Sequence, residues 1–128
     1  MGPEDGWRGR IGVIVPPANG TVEPELAAML PPGVAFYTAR LPGRVSEDTS
    51  VGLRERFLGY NRSLATVADS FGGMALAATC LAVTGCCYLA GAEGEETLLK
   101  DLRAGGAPNT ITAARALRRL LEALGRSR

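Results

Sequence analysis

The stretch Arg10-Ile11-Gly12-Val13-Ile14-Val15-Pro16-Pro17-Ala18-Asn19-Gly20-Thr21 decides how this chain folds. Its first six residues are β-rich and apolar on both faces, the pattern of a central parallel strand. Pro16-Pro17 ends the strand, because proline supplies no N–H to a ladder. Val22-Glu23-Pro24-Glu25-Leu26-Ala27-Ala28-Met29-Leu30 follows as a helix. Thr21 suits its N-cap, and Glu23, Pro24 and Glu25 suit its first turn. A buried strand that turns directly into a helix predicts an α/β protein.

The rest of the chain repeats that unit. Pro31-Pro32-Gly33 stops the first helix, and Val34–Leu41 reads as a second strand ended by Pro42-Gly43. A polar loop spans Arg44 to Ser50. Leu53, Phe57, Tyr60, Leu64, Val67 and Phe71 are then spaced 4, 3, 4, 3 and 4 apart, one stripe of a long helix closed by Gly72-Gly73. Met74–Val83 is a run of small residues, read as a buried third strand. Thr84–Gly91 reads as a turn, and Glu93, Glu95 and Glu96 open a third helix that Lys100 and Arg103 close. After Gly105-Gly106-Ala107-Pro108, a very short strand around Asn109–Ile111 precedes the last helix. Ala114, Leu117, Leu120, Leu121 and Leu124 form its apolar stripe, with Arg115, Arg118, Arg119 and Glu122 outside. The expected fold is a three-layer α/β/α sandwich with a mainly parallel four-stranded sheet, one domain over 1–128 with a flexible tail at 1–9.

Composition bounds the function. The chain has 128 residues, enough for one core; 46% are hydrophobic and 21% charged, as in globular proteins. There is no His, which removes imidazole catalysis and His-ligated metal sites. A net charge of +1 offers no electrostatic case for nucleic acid. No apolar run reaches the length of a membrane span, and Met1–Gly6 has no signal-peptide character. Cys80, Cys86 and Cys87 are odd in number and clustered, so reduced thiols and a cytoplasmic location are expected. No GxGxxG or P-loop spacing occurs, and no metal or cofactor is expected.

Ligands of parallel sheets bind beyond the carboxyl ends of the strands, which singles out two segments. In Pro16–Thr21, free backbone N–H groups, the Asn19 amide and the Thr21 hydroxyl suit a carboxylate; the alternative is an ordinary turn capped by Thr21. In Thr84-Gly85-Cys86-Cys87-Tyr88, Gly85 permits close backbone approach and a helix start would lower a thiol pKa. The alternative there is that Cys80, Cys86 and Cys87 are packing residues.

Together the two segments resemble the maleate isomerase and arylmalonate decarboxylase branch of the aspartate/glutamate racemase superfamily. Ile11–Glu25 is similar to that branch's opening of strand, prolines and Asn-x-Thr-x-Glu. Thr84–Gly91 is similar to its turn after a later strand, and Asn109–Ala114 with the following helix also resembles it. The resemblance implies a flavodoxin-like half of the racemase fold and cofactor-independent isomerisation, racemisation or decarboxylation of small carboxylic acids such as maleate or arylmalonate. It implies that Asn19 and Thr21 bind a carboxylate, that Pro16 and Pro17 wall the pocket, and that Thr84 and Gly85 line it. The family's first catalytic Cys falls on Val83; the decarboxylases also lack Cys there. Cys86 and Cys87 are candidate substitutes from the loop. Family members have two pseudo-symmetric halves, so a second half-domain or a homodimer partner would complete the cleft. The rival expectation is a non-catalytic carboxylate-binding or interaction module, or a truncated pseudo-enzyme. Topology alone would also allow a response-regulator-like domain, but no acidic phospho-acceptor cluster follows the first strand.

Overall fold

The computed structural model describes residues 5–43 and 49–126. The elements run β1 (Gly9–Val15), α1 (Val22–Met29), β2 (Val34–Arg40), α2 (Ser50–Asp69), β3 (Ala78–Leu81), α3 (Thr84–Ala104), β4 (Thr110–Thr112) and α4 (Ala113–Ala123). The four strands form one sheet in the order β2-β1-β3-β4, every pair parallel. This is the α/β architecture expected from the alternating strands and helices.

The connection from β1 leads to β2 on one side, whereas β3 and β4 lie on the other. Right-handed crossovers therefore place α1 on the face opposite α2 and α3. Side-chain alternation agrees. Ile14 joins Tyr60, Leu64, Leu81, Leu98, Leu99 and Leu102 in one core cluster. Val13 and Val15 point the other way and are also buried. A strand buried on both faces is what the run Ile11–Val15 required.

Helix α2 buries Tyr60, Leu64 and Val67, and Phe57 and Phe71 pack against the same cluster, so the spacing located its inner face. Leu53 belongs to the same stripe by spacing but is exposed. The side chain of Thr49 accepts from the Gly52 N–H at 3.0 Å and starts the helix; most of the polar loop, residues 44–48, lies outside the described residues.

Four boundaries differ from the sequence reading. Strand β3 covers only Ala78–Leu81, because Met74–Leu76 turn back after the left-handed Gly72 and Gly73 and the ladder with β1 begins at Ile11–Ala78. Thr84–Ala90 is helical rather than a turn. Gly91 (φ 69°, ψ −178°) breaks α3 there, in a conformation that side chains disfavour. Strand β4 sits one residue later than expected, since Asn109 is left-handed (φ 42°) and donates its Nδ2 to the Ala77 carbonyl at 2.8 Å. Of the tail expected at 1–9, residues 1–4 lie outside the described residues. Trp7 packs its ring on Gly33, Arg8 N–H donates to Gly33 O at 2.8 Å, and Gly9 is already strand.

Candidate functional site

Strands β1 and β3 are neighbours whose following helices depart in opposite directions, which makes their carboxyl ends the switch point of the sheet. Ile14 pairs with Leu81, and the Ala82 N–H donates to Ile14 O at 2.9 Å. The two segments singled out in the sequence, Pro16–Thr21 and Thr84–Gly91, therefore leave the sheet from neighbouring strand ends.

On the β1 side, Asn19 rather than Thr21 caps α1. Its Oδ1 accepts from the N–H groups of Thr21 and Val22, both at 3.0 Å, and from Thr21 Oγ1 at 3.4 Å. Thr21 makes no side-chain cap. The cap fixes the orientation of the amide and leaves its Nδ2 as the donor for a ligand. The Thr21 and Val22 N–H groups are already taken by Asn19 Oδ1, so this helix start offers an anion fewer donors than a bare helix N-terminus. Pro16 and Pro17 are half-buried; Pro16 O accepts from Asn19 N at 3.3 Å, closing the turn.

Sequence reasoning missed the residue that holds this loop. Arg40, the last residue of β2, donates Nη1 to the carbonyls of Pro16 at 3.3 Å and Asn19 at 3.1 Å, and pairs through Nη2 with Glu23 on α1. One guanidinium thus ties the loop at both ends and fastens it to the helix beyond. The signal was available in outline: a cation at the carboxyl end of a strand adjacent to β1 lies at the same end of the sheet.

The β3 side is packed shut. Val83, at the family's cysteine position, is a buried core residue that opens α3. Thr84 is exposed at the helix start. The close approach that Gly85 permits is made by Phe57: a Cβ there would lie 2.7 Å from the ring's Cε1 and Cε2. Cys86 and Cys87 are buried in the core cluster. Burial, reinforced by the neighbouring Cys87, pushes the Cys86 thiol up to about 12. Burial also raises Cys87, against the neighbouring Thr112 hydroxyl, which lowers it, and raises Cys80. A helix start was expected to depress these thiols; desolvation outweighs it. Cys87 Sγ lies 3.8 Å from Val83 O, within its own turn.

A second feature missed in the sequence lies at the end of β4. Glu95, expected among the acids that open a helix, is buried. It accepts from Thr112 Oγ1 and lies 3.5 Å from Arg115 Nη2, while Thr112 Oγ1 accepts from the Arg115 N–H at 2.9 Å and caps α4. Arg115 also pairs with Glu96, whose carboxyl that hydrogen bond holds below the usual range. Arg115 is therefore not part of the solvated arginine face. Among the described residues, no cluster of His, Cys, Asp and Glu could hold a metal, and no helix is long and apolar enough to cross a membrane.

No protein-family model matches the chain, and no curated protein matches its sequence. Solved structures do. The maleate isomerase Iso from Pseudomonas putida S16 superposes with a TM-score of 0.69 at 22% identity, over 91% of this chain and 50% of that one. A Nocardia farcinica maleate cis-trans isomerase carrying a covalently bound succinylcysteine intermediate gives 0.68 at 26% identity, over 91% and 49%. A doubly substituted arylmalonate decarboxylase in the liganded form gives 0.68 at 30% identity, over 91% and 47%. The chain therefore has the racemase-type half-fold found in maleate isomerases and arylmalonate decarboxylases, consistent with their N-terminal half, and spans about half their length.

Proposed function

We propose that this chain is the carboxylate-holding half of a cofactor-independent isomerase, racemase or decarboxylase that acts in the cytoplasm on small mono- or dicarboxylic acids such as maleate or an arylmalonate. The observation that carries the reading is Asn19. Its Oδ1 is locked onto the start of α1, so its Nδ2 is a fixed donor at the switch point of the sheet. Thr21 Oγ1 and Thr84 are exposed on the two sides of that switch point. Pro16 and Pro17 give the wall rigidity. In this reading the reacting thiol comes from a second half-domain facing the β1 end.

Cys86 and Cys87 are poor candidates for that thiol, since a nucleophile must ionise near neutral pH and burial holds both protonated. The same observation, together with Val83, favours a second reading in which the chain binds a carboxylate and catalyses nothing.

Titration with maleate and phenylmalonate, followed by amide shifts, tests the first step. Thr21 and Val22 amides should move in the wild type and stay still in Asn19→Asp, which keeps an oxygen for the cap but loses the donor. Equal affinity in the two proteins refutes the pocket. Turnover by the chain alone, with Cys86 and Cys87 replaced by Ala, would refute the non-catalytic reading and show that another group performs the chemistry.

A further inference from the structure

Arg40 is placed by the β-ladder. It is the register partner of Val15, the residue before Pro16, and the N–H of the next residue, Leu41, donates to Val15 O at 2.9 Å. Register partners in a parallel sheet point to the same face, which for Val15 is the face covered by α1. The guanidinium is thus carried to the β1–α1 loop, where it holds the carbonyls of Pro16 and Asn19 and pairs with Glu23. Asn19 is consequently held twice: by Arg40 at its backbone carbonyl, and by the Thr21 and Val22 N–H groups at its side-chain Oδ1. What these bonds leave is Nδ2, the donor on which the carboxylate reading rests.

The charges at this helix start speak against a direct role for Arg40 in binding. Its charge is matched by Glu23, and Glu25 adds a second acid in the first turn of α1. Two of the N–H groups that would aim the helix dipole at an anion are spent on Asn19 Oδ1. A carboxylate here gains little from the dipole or from the guanidinium; it gains from an amide that is already in place.

We propose that Arg40 is a positioning residue for the carboxylate: it acts by geometry, holding Asn19 so that Nδ2 is presented, while Glu23 keeps its charge off the ligand. The inference rests on the carboxylate reading and deepens it. This half reads a single carboxylate group and does not distinguish a dicarboxylate from a monocarboxylate.

The test uses maleate, kept as the dianion, and isocrotonate, in which a methyl group replaces one carboxylate. Each is titrated into the 128-residue chain while the Asn19 side-chain amide and the Thr21 and Val22 N–H signals are followed. Wild type should bind the two with similar affinity. Arg40→Gln should weaken both by about fivefold, the ordering cost of a loop that has lost two carbonyl bonds. It should also shift the Asn19 side-chain amide before any ligand is added. Arg40→Lys keeps the charge but loses the fork, so it should bind no better than Arg40→Gln. Glu23→Gln leaves the carbonyl bonds and frees the charge, so it should tighten maleate more than isocrotonate, and high salt should erase the gain. Glu95→Ala should cost comparable stability at the opposite edge of the sheet from β2 and leave both affinities unchanged, with every protein measured fully folded. Arg40→Lys binding as tightly as wild type, Arg40→Gln losing maleate alone, or an equal loss in Glu95→Ala overturns the proposal. A wild type that binds neither acid refutes the carboxylate reading and this inference with it, whereas a wild type that binds both, with Arg40→Gln unchanged, refutes only the inference.

Discussion

Replacing Arg40 by Gln tests whether the β1–α1 loop is held in place or merely decorated by a surface ion pair. The substitution removes two carbonyl hydrogen bonds and the pairing with Glu23. Arg40 is 42% exposed, so the ion pair is screened and contributes no more than about 0.5 kcal/mol. Each carbonyl bond contributes about 0.5 kcal/mol, the low end for an intramolecular hydrogen bond, because water replaces it on the exposed side. The expected loss is about 1.5 kcal/mol, a fall of roughly 4–6 °C in the thermal midpoint of a domain this size. Glu23→Gln removes the ion pair alone and should cost about a third as much. High salt separates the two contributions. At 1 M the Debye length is about 3 Å, so the Glu23 effect should vanish while most of the Arg40 effect remains. Urea midpoints at low and high salt measure both, and amide exchange at Thr21 and Val22 reports the loop directly: protection should fall in Arg40→Gln and hold in Glu23→Gln. If the two variants cost the same and both effects disappear in salt, the loop is not clamped by its carbonyls and the reasoning fails.

Three other perturbations are equally direct. Gly85→Ala drives a methyl group into the Phe57 ring; it should cost about 1–3 kcal/mol by urea denaturation, with Phe57→Leu in the same chain recovering part of the loss. The Cys86 thiol ionises near its ordinary value of 9.0 when unfolded but only at about 12 when folded. Stability should therefore be flat in this respect below pH 9 and fall above it, by about 1.4 kcal/mol per pH unit, and Cys86→Ala should flatten that slope; an unchanged slope would mean that the thiol is not desolvated. Glu95→Ala strips the buried partner from Thr112 and Arg115. Because Arg115 keeps Glu96, the cost should be about 2 kcal/mol rather than the roughly 3–5 typical of breaking a buried pair, while Glu95→Gln, which still accepts from Thr112, should cost less.

The sequence made the sheet legible because its physics is local. A run apolar on both faces, ended by two prolines, has few homes other than a central parallel strand, and β1 occupies one. The inner face of α2 was legible for the same reason, since Tyr60, Leu64 and Val67 recur at the helical period. Partners distant in sequence were not legible. Thr21 looked like the cap because Thr is a good cap, but the longer reach of Asn19 from two residues earlier won both amides. Glu95 read only as one of three acids, with Glu93 and Glu96, that open a helix. It is buried because Thr112 and Arg115, from the other side of a β-crossover, supply its bonds. The stripe of α4 was read correctly as apolar, but periodicity shows which residues share a face, not whether the monomer covers that face.

The contrast between the two strand ends at the switch point bears most directly on function. The end of β1 is polar, half-exposed and held by bonds that leave one amide donor free. The end of β3 is filled by Val83, Phe57 on Gly85, and two thiols that burial keeps protonated. A site that only had to bind a carboxylate would need the first end and tolerate the second. A site that had to abstract a proton or attack a double bond would need an ionisable group at the second, and the described residues place none there in the required state. Opening the β3 end is therefore a sharper test of latent chemistry than altering the binding loop. Val83→Cys puts a thiol at the N-cap of α3, where the helix N-terminus favours its anion and the burial of position 83 opposes it. Acquired exchange of an α-proton or slow isomerisation in that variant, absent from the wild type and lost again on Asn19→Asp, would show that binding and chemistry are separable parts of this half-fold. A thiol at position 83 that titrates as high as Cys86 would show instead that the β3 end is core, and that any chemistry must come wholly from the facing half.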